Sequence, residues 1–265
     1  MRQSNDVLYA QMLNRIRIGR YTAEDIEMLK SRLTHPSKIS DPTVLHIYPT
    51  KKEVAEHNRN MQLSLNSIIY RFKATHIFSS NDIGKNTTVT ESFIPDDNRD
   101  AGGLPLQIDI SIGTKVMLIR NLNVALVNGA IGMIDIIPQQ DNDNTTIYVS
   151  FPNLNIPNAF SSSRNVVAIP KYNQEYLYNG RFVIITNYPL IPCWATTIHK
   201  VQELSLKSAA ISIGASIFQK GQSYVALSRV ESLENMYLLS FCENKLKCDP
   251  DVINEYLSMY INNRP

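Results

Sequence analysis

The pattern of apolar and polar positions divides the chain into three stretches. In the first, apolar residues recur at helical spacing: DVLYAQMLNRIRIG sets Leu8, Met12 and Ile16 on one face of a helix that closes on Gly19, a residue suited to the left-handed position beyond a helix end. Thr22 and Asp25 have capping-box spacing ahead of a second helix, AEDIEMLKSRL, which stops before Pro36. TVLHIYP has the composition of a short buried strand, and Thr50 with Glu53 opens a further helix through KEVAEHNRNMQLSL. Strand, threonine at the turn and helix make the beginning of a βα unit.

From about residue 105 the pattern changes. KVMLIRN, GAIGMIDII, TTIYVSF, NVVAIP and RFVIITN are short β-branched runs. Turn chemistry separates them: Asn128-Gly129, the polar QQDNDN, PNLNIPN and Asn179-Gly180. Such strands at roughly ten-residue spacing fit a small barrel or strongly twisted sheet, with a meander on the edge of one larger sheet as the alternative. After Pro192 the α/β pattern resumes: CWATTIH and AAISIG as strands, IFQKGQSYVALSRV as a helix, MYLLSF as a strand, and a last helix with Asp249 as N-cap and Pro250 at its first position. The Asn-, Asp-, Gly- and Ser-rich segment from Ser79 to Leu104 reads as a surface loop. The whole is an α/β body interrupted by an all-β insert.

Composition sharpens this modestly. Hydrophobic residues make up 43% of the 265, enough for a real core, and the net charge of +2 leaves any nucleic-acid-binding surface to be local. Three cysteines (Cys193, Cys242, Cys248) without CxxC spacing argue against a disulfide framework and against a zinc site. The first residues lack a signal peptide's apolar core, and no run approaches the roughly 18 apolar residues of a membrane span. The expectation is an intracellular protein with no membrane partner and no bound metal.

Two clusters could carry chemistry. In TTIHKVQELSL, Thr197, His199, Lys200 and Gln202 directly follow a strand, the position where open α/β sheets bind ligands. A hydroxyl and a lysine there suit a phosphate, on a nucleotide or on a nucleic-acid backbone, and equally could start the next helix. In GQSYVALSRV, Arg229 ends an apolar stretch headed by Gly221 and Gln222. It suits a phosphate, or the carbonyls at a helix C-terminus.

Together these clusters resemble the closing motifs of the petite-integration-frequency (PIF-one) DNA helicases, RecD-like superfamily-one enzymes that unwind DNA 5′ to 3′. The matching segments are ATTIHKVQELSL and IFQKGQSYVALSRVESLENMYLLSF. GTKVMLIRNLNVALVNGAIGMIDII is similar to the family's approach to its inserted barrel, and LHIYPTKKEVAEHN to its motif IV. The resemblance implies a RecA-like parallel-sheet domain interrupted by a small all-β (Src-homology-type) barrel, with N-terminal helices. Residues 1–40 would be the helical segment trailing a first motor domain, 41–108 and 188–265 the second RecA-like domain, and 109–187 the barrel. It further implies nuclear residence, with mitochondria as the alternative, and work in replication, repair, recombination or telomere maintenance.

Position by position, the resemblance makes Arg229 the catalytic arginine finger. Gln202, Gly221, Gln222 and Tyr224 stand beside it on the nucleotide side. Thr50, Thr197, His199 and Lys200 become contacts to single-stranded DNA. ATP and Mg²⁺ are implied for a complete helicase, held by a Walker-motif motor domain. The 265 residues contain no GxxxxGK(S/T); the Gly84-Lys85 pair reads SSNDIGKNTT, with Ser79 where the first glycine belongs. Val201-Gln202-Glu203 replaces the family's Ser-Gln-Gly, which sets a carboxylate beside a phosphate site. The expectation is a C-terminal helicase portion without catalysis of its own. The alternatives are a non-catalytic single-strand-binding module and a decayed fragment.

Overall fold

The computed structural model describes Gln3 and residues 5–79, 89–138, 146–152, 165–202 and 204–262. Gly84, Lys85 and Glu203, the QQDNDN turn and residues 153–158 lie outside the described residues. In chain order the elements are α1 (Val7–Arg17), α2 (Ala23–Lys30), β1 (Leu45–Tyr48), α3 (Lys51–Ser64), β2 (Tyr70–Lys73), β3 (Thr75–Phe78), β4 (Gln107–Ile110), β5 (Lys115–Leu118) and β6 (Ile131–Ile136). Then come β7 (Ile147–Ser150), β8 (Val166–Ile169), β9 (Tyr172–Tyr178), β10 (Arg181–Asn187), β11 (Leu190–Pro192), β12 (Ala195–Thr197), β13 (Ala209–Ile213), α4 (Gln222–Leu227), β14 (Met236–Phe241) and α5 (Pro250–Asn262). They fall into two compact units, Met1–Asn58 with Trp194–Pro265, and Arg59–Cys193.

The first unit is built on a parallel sheet in the order β12-β1-β13-β14. All five residues of β13 are buried. A strand covered on both faces carries a continuous apolar run where a half-exposed one alternates, and AAISI departs from that only at Ser212. On α1 the buried face is Tyr9, Met12, Leu13 and Ile16, spaced i, i+3, i+4, i+7. Leu8 lies on the flank of this stripe and is exposed, because a helix turns it about 100° away from Tyr9, near the stripe's centre. Gly19 takes φ +68°, its N–H reaching Ile16 O and that of Arg20 reaching Arg15 O, a Schellman closure. Both capping boxes form. Asp25 accepts from the Thr22 N–H at 2.9 Å and pairs bidentately with Arg15.

Among its described residues, the second unit is β-structured beyond the end of α3, apart from a 3-10 turn at Glu91–Phe93. A five-stranded antiparallel sheet runs β11-β5-β6-β7-β8, with a two-stranded sheet β2-β4 and a three-stranded sheet β3-β10-β9. Residues from both end strands, Leu190 on β11 and Ile169 on β8, share one buried cluster with Val116, Ile134 and Val149 from the middle. A sheet whose two ends reach the same core must curl. The β9–β10 hairpin turns on Asn179 and Gly180, both at positive φ (+49° and +77°), as a two-residue type I′ turn requires.

The boundary between the units lies far earlier than residue 109. Residues 59–108, which the resemblance would place in the RecA-like domain, pack in the all-β unit, where β2 pairs with β4 and β3 with β10. Residues 188–193 stay there too, since β11 pairs with β5. The supposed surface loop also contributes buried Val89, Ala101 and Leu104 to a second core around Phe78, Val183 and Ile185.

Candidate functional site

The parallel register of β1 and β12, with Tyr48 opposite Thr197, brings their carboxyl ends level. Thr50 and Thr197 therefore share one edge of the sheet. After Thr197 the chain enters a 3-10 turn, Ile198–Val201, which buries Ile198 and Val201 and leaves His199, Lys200 and then Gln202 exposed. The alternation of apolar and polar residues in IHKVQ is what turns these three outward. At the head of α3, Thr50 is committed: its hydroxyl donates to Glu53 Oε2 at 2.6 Å and its N–H to the same oxygen at 3.2 Å. Glu53 Oε1 accepts from Ser216 at 2.9 Å. A carboxylate already occupies the place where this helix N-terminus would receive an anion.

The helix expected over IFQKGQSYVALSRV is shorter, only Gln222–Leu227. Gly221 precedes it at φ +76°, a conformation no right-handed helix contains, and its N–H donates to Lys247 O at 2.7 Å. Gln222 is buried and turns its Oε1 back to the Phe218 N–H at 3.2 Å. Its Nε2 is buried without a hydrogen-bond partner, a deficit worth about 1–3 kcal/mol. His199 Nε2 meets Gln219 Oε1 at 3.1 Å, tying the 3-10 turn to the segment before α4.

These pieces border a cleft of about 290 Å³, whose lining includes His199, Gln202, Gly221, Gln222, Tyr224 and Arg17. The Arg17 guanidinium lies 5.9 Å from the centre of the Tyr224 ring. Arg229 sits past the other end of α4. Its Nε donates to Val225 O at 3.0 Å and its Nη2 to Ser228 Oγ at 2.7 Å, while Nη1 donates to the Gln202 carbonyl. Of the two readings of this arginine, the helix-end one is seen in the donation to Val225 O. Among the described residues no group of three or more His, Cys, Asp or Glu side chains could hold a metal ion.

Sequence reasoning missed the residues that support Arg229. Gln3 donates to Ser228 O and Val230 O, Tyr9 to Leu227 O, and Asp6 accepts from the Leu233 N–H. No local signal could reveal contacts across more than 200 residues. Of the aromatic residues suited to base stacking, Trp194 and Tyr176 are buried, and Tyr70, Tyr172 and Tyr178 pack against the two cores of the all-β unit. Tyr148, on β7, is half-buried.

No family model matches the chain. Individual proteins do. It is 25% identical over 297 residues to the ATP-dependent DNA helicase PIF1 of Emericella nidulans, covering 97% of this chain and 38% of that protein. Against human PIF1 it is 25% identical over 256 residues, 96% of this chain and 36% of the relative. Among solved structures, the Candida albicans Pif1 helicase superposes with a TM-score of 0.76 at 21% identity, covering 98% of this chain and 59% of that one. The chain is similar to Pif1 helicases over nearly its whole length. It matches the C-terminal part and spans little more than a third of the length of these curated relatives. Its fold is accordingly the RecA-like α/β domain of the Pif1 structures with an all-β insertion. A Bacteroides Pif1 solved in complex with ADP-AlF3 and single-stranded DNA has the same fold, at a TM-score of 0.68 and 23% identity over 99% of this chain and 56% of that one.

Proposed function

We propose that this chain is the C-terminal portion of an ATP-dependent 5′-to-3′ DNA helicase, contributing an arginine to the nucleotide and one bank of contacts to single-stranded DNA. The observation that carries the reading is the Arg229–Gln202 bridge, which joins the two polar clusters; Gln202, Gln222 and Tyr224, though not Arg229 itself, line one cleft. A fixed guanidinium in that place would stabilise negative charge developing on a transferring phosphoryl group. Thr197, His199 and Lys200 would meet the DNA backbone, where contacts fix register and carry no base information. Thr50 enters this set only by its place at the sheet edge, its hydroxyl and its N–H both being held by Glu53.

ATP supplies the phosphoryl group and Mg²⁺ its charge neutralisation. Arg229 and Gln202 fit an auxiliary part in holding the nucleotide, whereas the described residues offer no carboxylate cluster for the metal. Both would be held by a Walker-bearing domain outside these residues, acting on the same chain or in trans. Nuclear residence, with mitochondria as the alternative, belongs to the same proposal.

Assayed alone, the chain is expected to hydrolyse ATP no faster than buffer, with or without oligo-dT. It is expected to bind labelled single strands with a salt-dependent affinity that weakens in Lys200→Ala. DNA-stimulated turnover that survives repurification would overturn the first expectation. The exposure of His199 and Lys200 also favours a second reading, a single-strand-binding module without hydrolysis. Strand binding with no gain in turnover on adding a Pif1 Walker domain would select it.

A further inference from the structure

We infer that Gln3 and Tyr9 are positioning residues for Arg229. α4 has only six residues, and the carbonyls at and just past its end look outside the helix for partners, Leu227 O taking the Val230 N–H at 3.3 Å. Side chains from the start of the chain supply further donors. The Tyr9 hydroxyl donates to Leu227 O at 2.7 Å. Gln3 Nε2 donates to Ser228 O at 3.1 Å and to Val230 O at 2.8 Å. These last two carbonyls belong to the residues immediately before and after Arg229, so one primary amide straddles the arginine. It can do so because a single nitrogen carries two hydrogens; glutamate, of the same length, carries none.

The grip extends along the turn. Asp6 Oδ2 accepts from the Leu233 N–H at 3.0 Å, while its Oδ1 accepts from the Tyr9 N–H at 2.9 Å and starts α1. On the far side the Leu206 N–H donates to the Arg229 carbonyl at 2.9 Å. Burial drives the Tyr9 hydroxyl far above the ordinary phenol range, which keeps it a donor throughout the range of stable folding. Peptide groups on both sides of Arg229 are thereby fixed, and with them the point from which its guanidinium reaches Gln202. The importance of that accuracy for phosphoryl transfer rests on the function proposed above, since misplacement by about 1 Å can cost on the order of a hundredfold in rate. The positioning itself does not.

The test uses the whole chain. The Nε–H signal of Arg229 is assigned in a proton–nitrogen NMR spectrum by its loss in Arg229→Lys, then followed in Gln3→Glu, Gln3→Ala and Tyr9→Phe. We expect this signal to shift and broaden in all three, and the Leu206 amide to exchange at least about tenfold faster. Amides of β13 and β14 should stay within about twofold of the parent. An unchanged Arg229 signal and an unchanged Leu206 amide would overturn the inference. Loss of protection throughout β13 and β14 would overturn it equally, because the two residues would then hold the fold and not the arginine. Tyr9→Phe removes one oxygen and keeps the ring packed, so the answer does not hang on Gln3 variants alone. None of these readouts needs nucleotide, so the failure of the helicase reading would leave the result standing.

Discussion

At Gly221 the backbone conformation, and not the available space, demands glycine. A methyl group there would meet nothing within 4 Å, yet φ is +76°. Gly221→Ala is expected to destabilise the first unit by about 1–2 kcal/mol, and Gly221→Asn by less, measured as shifts in the urea midpoint. Equal stability of all three would show that the turn relaxes. His76 offers a pH-dependent counterpart in the all-β unit. Its Nδ1 lies 3.1 Å from the Tyr176 hydroxyl, which is also 3.3 Å from Phe93 O, and burial lowers the imidazole pKa. The unfolded chain takes up a proton near pH 6.5 while the folded histidine resists it, so stability is full above about pH 6.5 and is lost as pH falls through the lowered folded value. Thermal midpoints taken between pH 7.5 and 5 should therefore fall more steeply for the parent than for His76→Gln. Parallel slopes would remove His76 from the account.

Among the elements, β6 carries the tightest constraint. A methyl group on Gly132 would stand 2.6 Å from Ser150 O and 2.7 Å from Val149 Cγ1, and the first of these is backbone that cannot swing aside. Gly132→Ala should cost about 1–3 kcal/mol and raise exchange rates in β7. A stability within error of the parent would mean that the β6–β7 pairing shifts register at little cost. The elements were also the scale at which the sequence was most legible. Thr22 with Asp25, Thr50 with Glu53, Gly19 and the Asn179-Gly180 turn each announce themselves through chemistry within four residues, and each forms as expected. The helix expected over IFQKGQSYVALSRV forms only over Gln222–Leu227, because its apolar spacing is helical on both sides of Gly221 and nothing local shows that the glycine sits at positive φ. The polar clusters were visible as clusters, whereas the braces on Arg229 from Gln3 and Tyr9 were not, since hydrogen bonds across the fold leave no periodicity. Leu8 illustrates the same limit: it shares helical spacing with Met12, and only the packing of Tyr9 decides which face is inside.

For the whole molecule, the sequence pattern marked an α/β body around an all-β insert, and the unit that holds the insert begins earlier than the change of pattern, at Arg59. β2, β3 and β11 pair with distant strands, and short strands carry no label of their partners. One feature of the first unit bears on what the insert can be. The carboxamide of Asn58, on α3, donates to Ala195 O at 3.1 Å and accepts from the Ala195 N–H at 2.7 Å, next to the place where the His46 N–H donates to Trp194 O. The points where the chain leaves this unit and returns to it are thus stapled together by one side chain. Closing a flexible loop between fixed ends costs only about 0.6 kcal/mol more for each doubling of its length. A variant with residues 66–192 replaced by a short flexible linker should keep the hydrogen-exchange protection of β1 and β13, and its collapse would show that the sheet depends on its passenger. If protection is kept, the junction behaves as a socket: cargo of quite different size or fold can be exchanged there, by recombination or by design, without re-engineering the sheet that carries Arg229.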